Sequence, residues 1–262
     1  FKWNGKTVFV DPVGAAESFK LYGTPDLVLV TDIHGDHFNK DTLTEIVKEK
    51  TVVIAPEAVA ALAPDGLKKS ITTLANGGSM EKLDVKIDAV PMYNLTPARL
   101  RFHNKGRGNG YVMTFGGKRV YVSGDTEDIP EMRALKKIDA AFVCMNLPYT
   151  MTPEQAADAV REFKPKVVYP YHYRGSDTAK FEKLVGDGNT NADSRRKRAR
   201  YRCHHDVHGP RPVSRVPPRA HSRDISDGRA PRSVDRTASS YRSNDGKIRE
   251  PYPHCPCRPT SR

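Results

Sequence analysis

Apolar residues cluster in short bursts through the first 185 positions, and the spacing of those bursts predicts alternating strands and helices. Strands are expected at Thr7–Val10, Leu27–Thr31, Thr51–Ala55, Val85–Val90, Gly110–Phe115, Arg119–Ser123, Ala140–Cys144 and Lys166–Tyr171. Helical periodicity falls between several of them, at Lys40–Lys48, Pro56–Leu62, Ile129–Leu135, Pro153–Phe163 and Ser176–Val185. Thr152, Pro153 and Gln155 form a helix start, with an N-cap, a proline at the first helical position and a capping partner. Val112–Phe115 and Val120–Val122, joined through Gly116-Gly117, read as a hairpin. Leu27-Val28-Leu29-Val30 is apolar at every position, which implies a strand buried on both faces and a sheet covered by helices. An α/β layered domain follows.

The pattern stops abruptly. From Gly186 onward there is no Leu, Phe, Met or Trp. Residues 1–186 carry 25 Lys+Arg and 23 Asp+Glu, a net of +2, so the remaining +10 of the chain's +12 lies beyond them. The basic residue also changes, from mostly Lys to mostly Arg. So little apolar surface cannot offset the entropy of ordering a chain. The expectation is a domain over residues 1–186 and a disordered Arg/Pro/Ser-rich tail over 187–262, whose composition resembles a coding sequence read out of frame. Within the tail, His204-His205-Asp206-Val207-His208 and His254-Cys255-Pro256-Cys257 offer ligand types without a folded frame. Its arginines would bind nucleic acid only non-specifically. Cys144 is the one cysteine of the first part and is expected to be a buried free thiol. No stretch is long and apolar enough for a membrane span. The chain opens at Phe1 rather than Met, so a truncated N-terminal edge is expected, with the cytoplasm as the default compartment.

The chemistry concentrates where apolar strands end. Thr31-Asp32-Ile33-His34-Gly35-Asp36-His37 puts four metal-capable side chains within six residues directly after Leu27–Val30. Asp32 and His34 would point the same way in an extended segment, and Gly35 would let the backbone turn to bring in Asp36 and His37. Asp125 follows Tyr121-Val122-Ser123-Gly124, and His172 follows Tyr169-Pro170-Tyr171. Imidazole and carboxylate together suit zinc, manganese or iron. Lys105, Arg107 and Arg174 flank candidate ligands; they are candidates for a cationic substrate rim, with solvated loop charges the favoured simpler reading. Tyr93, Tyr149 and Tyr173 are candidates for pocket walls or plain packing. Lys105-Gly106-Arg107-Gly108-Asn109-Gly110 lacks the strand-before, helix-after context of a phosphate loop.

These motifs, in this order over roughly residues 6–185, resemble the metallo-β-lactamase superfamily of metal-dependent hydrolases, in particular its ascorbate-phosphate lactonase branch. The resemblance implies a four-layer αββα sandwich. It implies two divalent ions, zinc foremost with manganese or iron as alternatives. One would be held by Asp32, His34, His103 and a bridging Asp125, the other by Asp36, His37, His172 and Asp125. His103 is the best match to the third motif, with Asn94 the nearest polar alternative. Asp11 is expected to orient ligands, and Asp36 and Asp125 to take part in catalysis. Asp32 departs from the pattern, which has His there, and makes the first position richer in oxygen. The implied reaction is attack of a metal-bridged hydroxide on a small ester, lactone or phosphorylated substrate. A nuclease-type member and a folded but inactive homologue are the alternatives. Oligomeric state is left open.

Overall fold

The computed structural model describes residues 1–187, so the expectations for residues 188–262 fall outside the described part of the chain. A first sheet is formed by β1 (Lys2–Trp3), β2 (Lys6–Val10), β3 (Leu27–Leu29), β4 (Val52–Ala55) and β5 (Ile71–Thr73), in that spatial order. From β2 to β5 the pairings are parallel, with Leu27 opposite Val8 and Val52. The second sheet holds β6 (Ser79–Lys82), β7 (Val85–Met92), β8 (Gly108–Phe115), β9 (Lys118–Val122), β10 (Ala140–Cys144) and β11 (Val167–Tyr171). It is antiparallel from β6 to β9 and parallel from β9 to β11.

The pleat sorts the apolar residues into layers, because successive side chains of a strand face opposite ways. Leu27 and Leu29 pack with Val8, Ile54, Ile87, Tyr111 and Met113 between the sheets. Val28 and Val30 face outward onto the helical layer of α1 (Lys40–Ile46), α2 (Glu57–Leu62) and α3 (Asp65–Lys68), against Leu43, Ile46, Val59 and Leu67. The outer face of the second sheet is covered by α4 (Pro130–Arg133), α5 (Pro153–Phe163) and α6 (Thr178–Asp187), through Met132, Val160, Phe163, Phe181 and Val185. Helix, sheet, sheet, helix is the αββα order expected from the sequence. Leu29 is fully buried in the middle layer, and its truncation to Ala would cost roughly 2–5 kcal/mol.

Local signals match their elements. Thr152 and Gln155 form a reciprocal capping box at the start of α5, with Pro153 in the first turn. Gly116 and Gly117 both have positive φ, at 51° and 80°, as the two-residue turn that follows right-handed strand twist requires. Three differences are instructive. β3 ends at Leu29, so Thr31 already belongs to the loop. The short strands β1, β5 and β6 were not expected. Their sequences are brief or polar, as in Ser-Met-Glu-Lys of β6, and edge strands need little apolar surface. Gly35 sits in the turn, but its φ is not left-handed. Instead His37 N and Phe38 N both donate to the His34 carbonyl, at 2.9 and 2.7 Å, and close the turn.

Candidate metal centre

The buried strand ends define the site. Asp32, His37, His103 and Asp125 are all nearly inaccessible, whereas the side chains of His34 and Asp36 are 39% and 61% exposed and mark the open side. Two groups of ligand atoms lie within 4.8 Å of one another: Asp32 with His34 and His103, and Asp36 with His37 and His172. Asp125 stands between them. Its Oδ2 is 3.4 Å from Nε2 of His37 and 3.5 Å from Nε2 of His103. Its Oδ1 is 3.2 Å from Nδ1 of His172. All seven side chains nominated from the sequence therefore converge.

Several of them are held by a hydrogen-bonding neighbour. Asp11 Oδ1 accepts from Thr31 N at 2.7 Å, and its Oδ2 accepts from Thr31 Oγ1 at 2.6 Å while lying 2.8 Å from Nδ1 of His37. His103 Nδ1 lies 3.2 Å from the Tyr149 carbonyl. His172 Nε2 lies 3.0 Å from Asp36 Oδ2. Two residues at the site carry left-handed backbones despite having side chains, Asp11 at φ 46° and His172 at φ 47°. Such strain persists where the surroundings over-determine it.

The loop after β7 brings in His103, and a residue the sequence reading overlooked secures that loop. Glu127, itself buried, accepts from Leu95 N and Thr96 N through Oε2, both at 2.6 Å, and from Arg99 through Oε1 at 2.7 Å. Asn94 supports the same loop by donating to the carbonyls of Arg99 and Tyr149, so it is a brace and His103 is the residue in the cluster. Asn109 is a second overlooked group: its N donates to Thr31 O across the sheets at 2.9 Å, and its Nδ2 donates to Leu74 O at 2.7 Å. Neither residue belongs to a ligand motif, and only the gly-rich context of Asn109 hinted at a close backbone approach. A Cβ on Gly108 would lie 2.9 Å from Thr31 O, and one on Gly110 would lie 2.7 Å from Ser123 O. Those glycines serve packing at the site's floor.

The three cationic residues nominated as a rim do not gather as one. Lys105 pairs with Glu131 at 2.8 Å and lies over the Tyr93 ring. Arg174 is exposed in the turn beyond His172. Arg107 turns inward: its Nε donates to Asp32 Oδ1 at 3.1 Å and its Nη2 to Asp32 Oδ2 at 2.9 Å. Of the tyrosines, Tyr93 is buried and donates to Glu131, Tyr173 packs against the core under the second helical layer, and Tyr149 stacks edge-on with Phe102 at the surface.

The electrostatics follow from this arrangement. Burial would raise the Asp32 carboxyl, but hydrogen bonds from His34 and Arg107 outweigh it and bring it down to about 2. His172 holds Asp36 well below the ordinary carboxylate range. Burial opposes charge on His37, yet the Asp11 and Asp125 carboxylates outweigh it and raise the imidazole well above its usual value. Burial lowers His103. Burial likewise pushes the free Cys144 thiol, beneath the site, up to about 12.

Nε2 of His37, Nε2 of His103 and Oδ1 of Asp125 are buried without a hydrogen-bond partner. Leaving such atoms unpaired costs roughly 1–3 kcal/mol each, and both histidine nitrogens approach the same oxygen, Asp125 Oδ2. Nitrogen and carboxylate donors so arranged fit divalent ions.

Comparison with known proteins agrees with the geometry. A family model described as a β-lactamase superfamily domain matches residues 1–172. The chain is 32% identical over 187 residues to a UPF0173 metal-dependent hydrolase of Thermococcus onnurineus, covering 68% of this chain and 81% of that protein. A crystal structure from Parabacteroides distasonis, provisionally classed as a metal-dependent hydrolase, is 37% identical, with a TM-score of 0.68 over 77% of this chain and 86% of that one. Igni18, a metallo hydrolase from Ignicoccus hospitalis, shares the fold at 22% identity and a TM-score of 0.60, over 78% of this chain and 89% of its own. On its fold, its ligand clusters and these relatives, the chain belongs to the UPF0173 metal-dependent hydrolases of the metallo-β-lactamase superfamily.

Proposed function

We propose that this metal-dependent hydrolase cleaves a small ester, lactone or phosphorylated substrate at a binuclear centre. Zinc is the expected metal, with manganese or iron as alternatives. Asp32, His34 and His103 would hold one ion, Asp36, His37 and His172 the other, with Asp125 shared. The observation that carries this reading is the convergence of the unpartnered, buried Nε2 atoms of His37 and His103 on Asp125.

When bound, such ions supply Lewis-acid activation of water and of the scissile carbonyl or phosphoryl oxygen. The chain's own residues do the rest. Asp11 fixes the tautomer and aim of His37, and the Tyr149 carbonyl does the same for His103. Such outer partners set both ligand orientation and basicity. Asp36, the exposed carboxylate of the set, is positioned to pass a proton to solvent, while Asp125 stays buried between the clusters.

A small molecule suits the charge distribution better than a polyanion. Residues 1–186 hold 25 basic and 23 acidic residues, whereas nucleic-acid surfaces are strongly basic. No helix among the described residues is long and apolar enough to cross a membrane.

The test is elemental analysis of the purified full chain beside His37→Ala, followed by hydrolysis assays on lactones, carboxylic esters and phosphoesters. The expected result is about two equivalents of metal, lost with activity in the variant. Well-folded wild-type protein without metal would sink the proposal.

A further inference from the structure

The two ligand clusters differ in one respect that their composition conceals. In the first, Arg107 forks both oxygens of Asp32, at 3.1 and 2.9 Å. The guanidinium is itself fixed by donating to the Phe102 carbonyl, and its Nη2 lies 3.4 Å from Nε2 of His34. Asp32 Oδ2, the oxygen nearest His103 at 3.8 Å, also receives Nδ1 of His34 at 2.8 Å. A carboxylate oxygen has about two acceptor positions, and on Oδ2 both are taken. A dication entering there must displace one of these donors and settle beside a permanent positive charge.

The second cluster lacks the permanent positive charge, although His172 likewise lies 3.0 Å from Asp36 Oδ2 and 3.2 Å from Asp125 Oδ1. His37 directs Nδ1 outward to Asp11, so Nε2 is free. Among the described residues, no Lys or Arg forms an ion pair with Asp36 or Asp125.

We infer that Arg107 is a built-in competitor for the first ion, so that the centre loads in order: tightly at Asp36, His37, His172 and Asp125, and weakly at Asp32, His34 and His103. Arg107 is here a positioning residue that acts through Asp32. The inference rests on the binuclear reading above, and adds that the two positions are unequal and why.

The experiment is a zinc titration of the metal-free full chain against a chromophoric chelator, with bound zinc counted by elemental analysis. Zinc retained by a His34→Ala/His172→Ala double variant is subtracted as background. The wild type is expected to bind one equivalent at least a hundredfold more tightly than the second. His172→Ala should lose the tight equivalent, and His34→Ala should keep it. Arg107→Met should bring the second affinity to within about tenfold of the first. Two indistinguishable equivalents in the wild type would overturn the inference, as would loss of the tight equivalent in His34→Ala. An unchanged second affinity in Arg107→Met would overturn Arg107's role, and Arg107→Gln serves in its place should that variant not fold. Absence of zinc binding in folded wild type is a separate outcome, since it overturns the metal-dependent reading itself.

Discussion

Asp11 stands directly behind His37, its Oδ2 2.8 Å from Nδ1, so that the opposite ring nitrogen is left facing Asp125 at 3.4 Å. The same carboxylate ties down Thr31 through both N and Oγ1. One aspartate thus sets the end of β3 and the aim of a ligand, from a left-handed backbone at φ 46°.

Asp11→Asn should therefore weaken metal binding by about 10–100-fold, the usual effect of losing a ligand's outer partner. The fold should persist. Elemental analysis after dialysis, with circular dichroism as the control, reads both; unchanged metal affinity would remove Asp11 from this role.

Glu127 anchors the loop that carries His103, and Glu127→Gln replaces a charged acceptor of three donors with a neutral one. Loss of such bonds costs roughly 1–3 kcal/mol. The amides of Leu95 and Thr96 should then exchange with solvent faster, by roughly tenfold or more for 1.4 kcal/mol. Hydrogen-exchange mass spectrometry over residues 93–103 measures this, with β3 as the unaffected reference.

Gly110→Ala should destabilise the chain by roughly 1–3 kcal/mol, because the added carbon meets backbone, which cannot rotate away. The contacts are Ser123 O at 2.7 Å and Val122 O at 3.0 Å. Gly66→Ala, in α3 with open space around it, should be neutral or stabilising by up to ~1 kcal/mol. Urea midpoints compare the two, and equal midpoints would contradict the packing argument.

Acid should weaken the metal-free protein through Asp32. Its carboxyl is lowered to about 2 in the fold from about 3.9 in an unfolded chain. A depressed acid contributes stability above its unfolded pKa and loses it as pH falls through the folded one. The loss lies between about pH 4 and about pH 2 and amounts to roughly 2–3 kcal/mol. Denaturant midpoints measured in chelator across that range should fall more steeply for wild type than for Asp32→Asn.

Much of this architecture was legible because buried strands and ligand clusters are dense local signals. Leu27–Val30 announced a two-faced strand, Gly116-Gly117 a hairpin, and Thr152 to Gln155 a helix start. Short edge strands such as β6 left little trace, since half of each faces water. At the site, Asp32, His34, Asp36, His37, Asp125 and His172 could be nominated because they follow apolar runs, whereas His103 was reached only through the family resemblance. What stayed hidden depends on distant partners. Nothing near Arg107 reveals that it turns toward Asp32, 75 residues away, and nothing near Glu127 reveals the loop amides it accepts. Asp32 was read as a change of ligand type; the structure shows it equally as the buried counter-ion of the half-buried Arg107.

Both clusters draw on both halves of the sandwich: Asp32, His34, Asp36 and His37 follow β3 of the first sheet, whereas His103, Asp125 and His172 follow strands of the second. Neither half can assemble a complete set alone. On the proposed assignment, a nascent or partly unfolded chain would therefore lack a complete ligand set, and the centre would serve as an internal inspection mark present only after the two sheets have met.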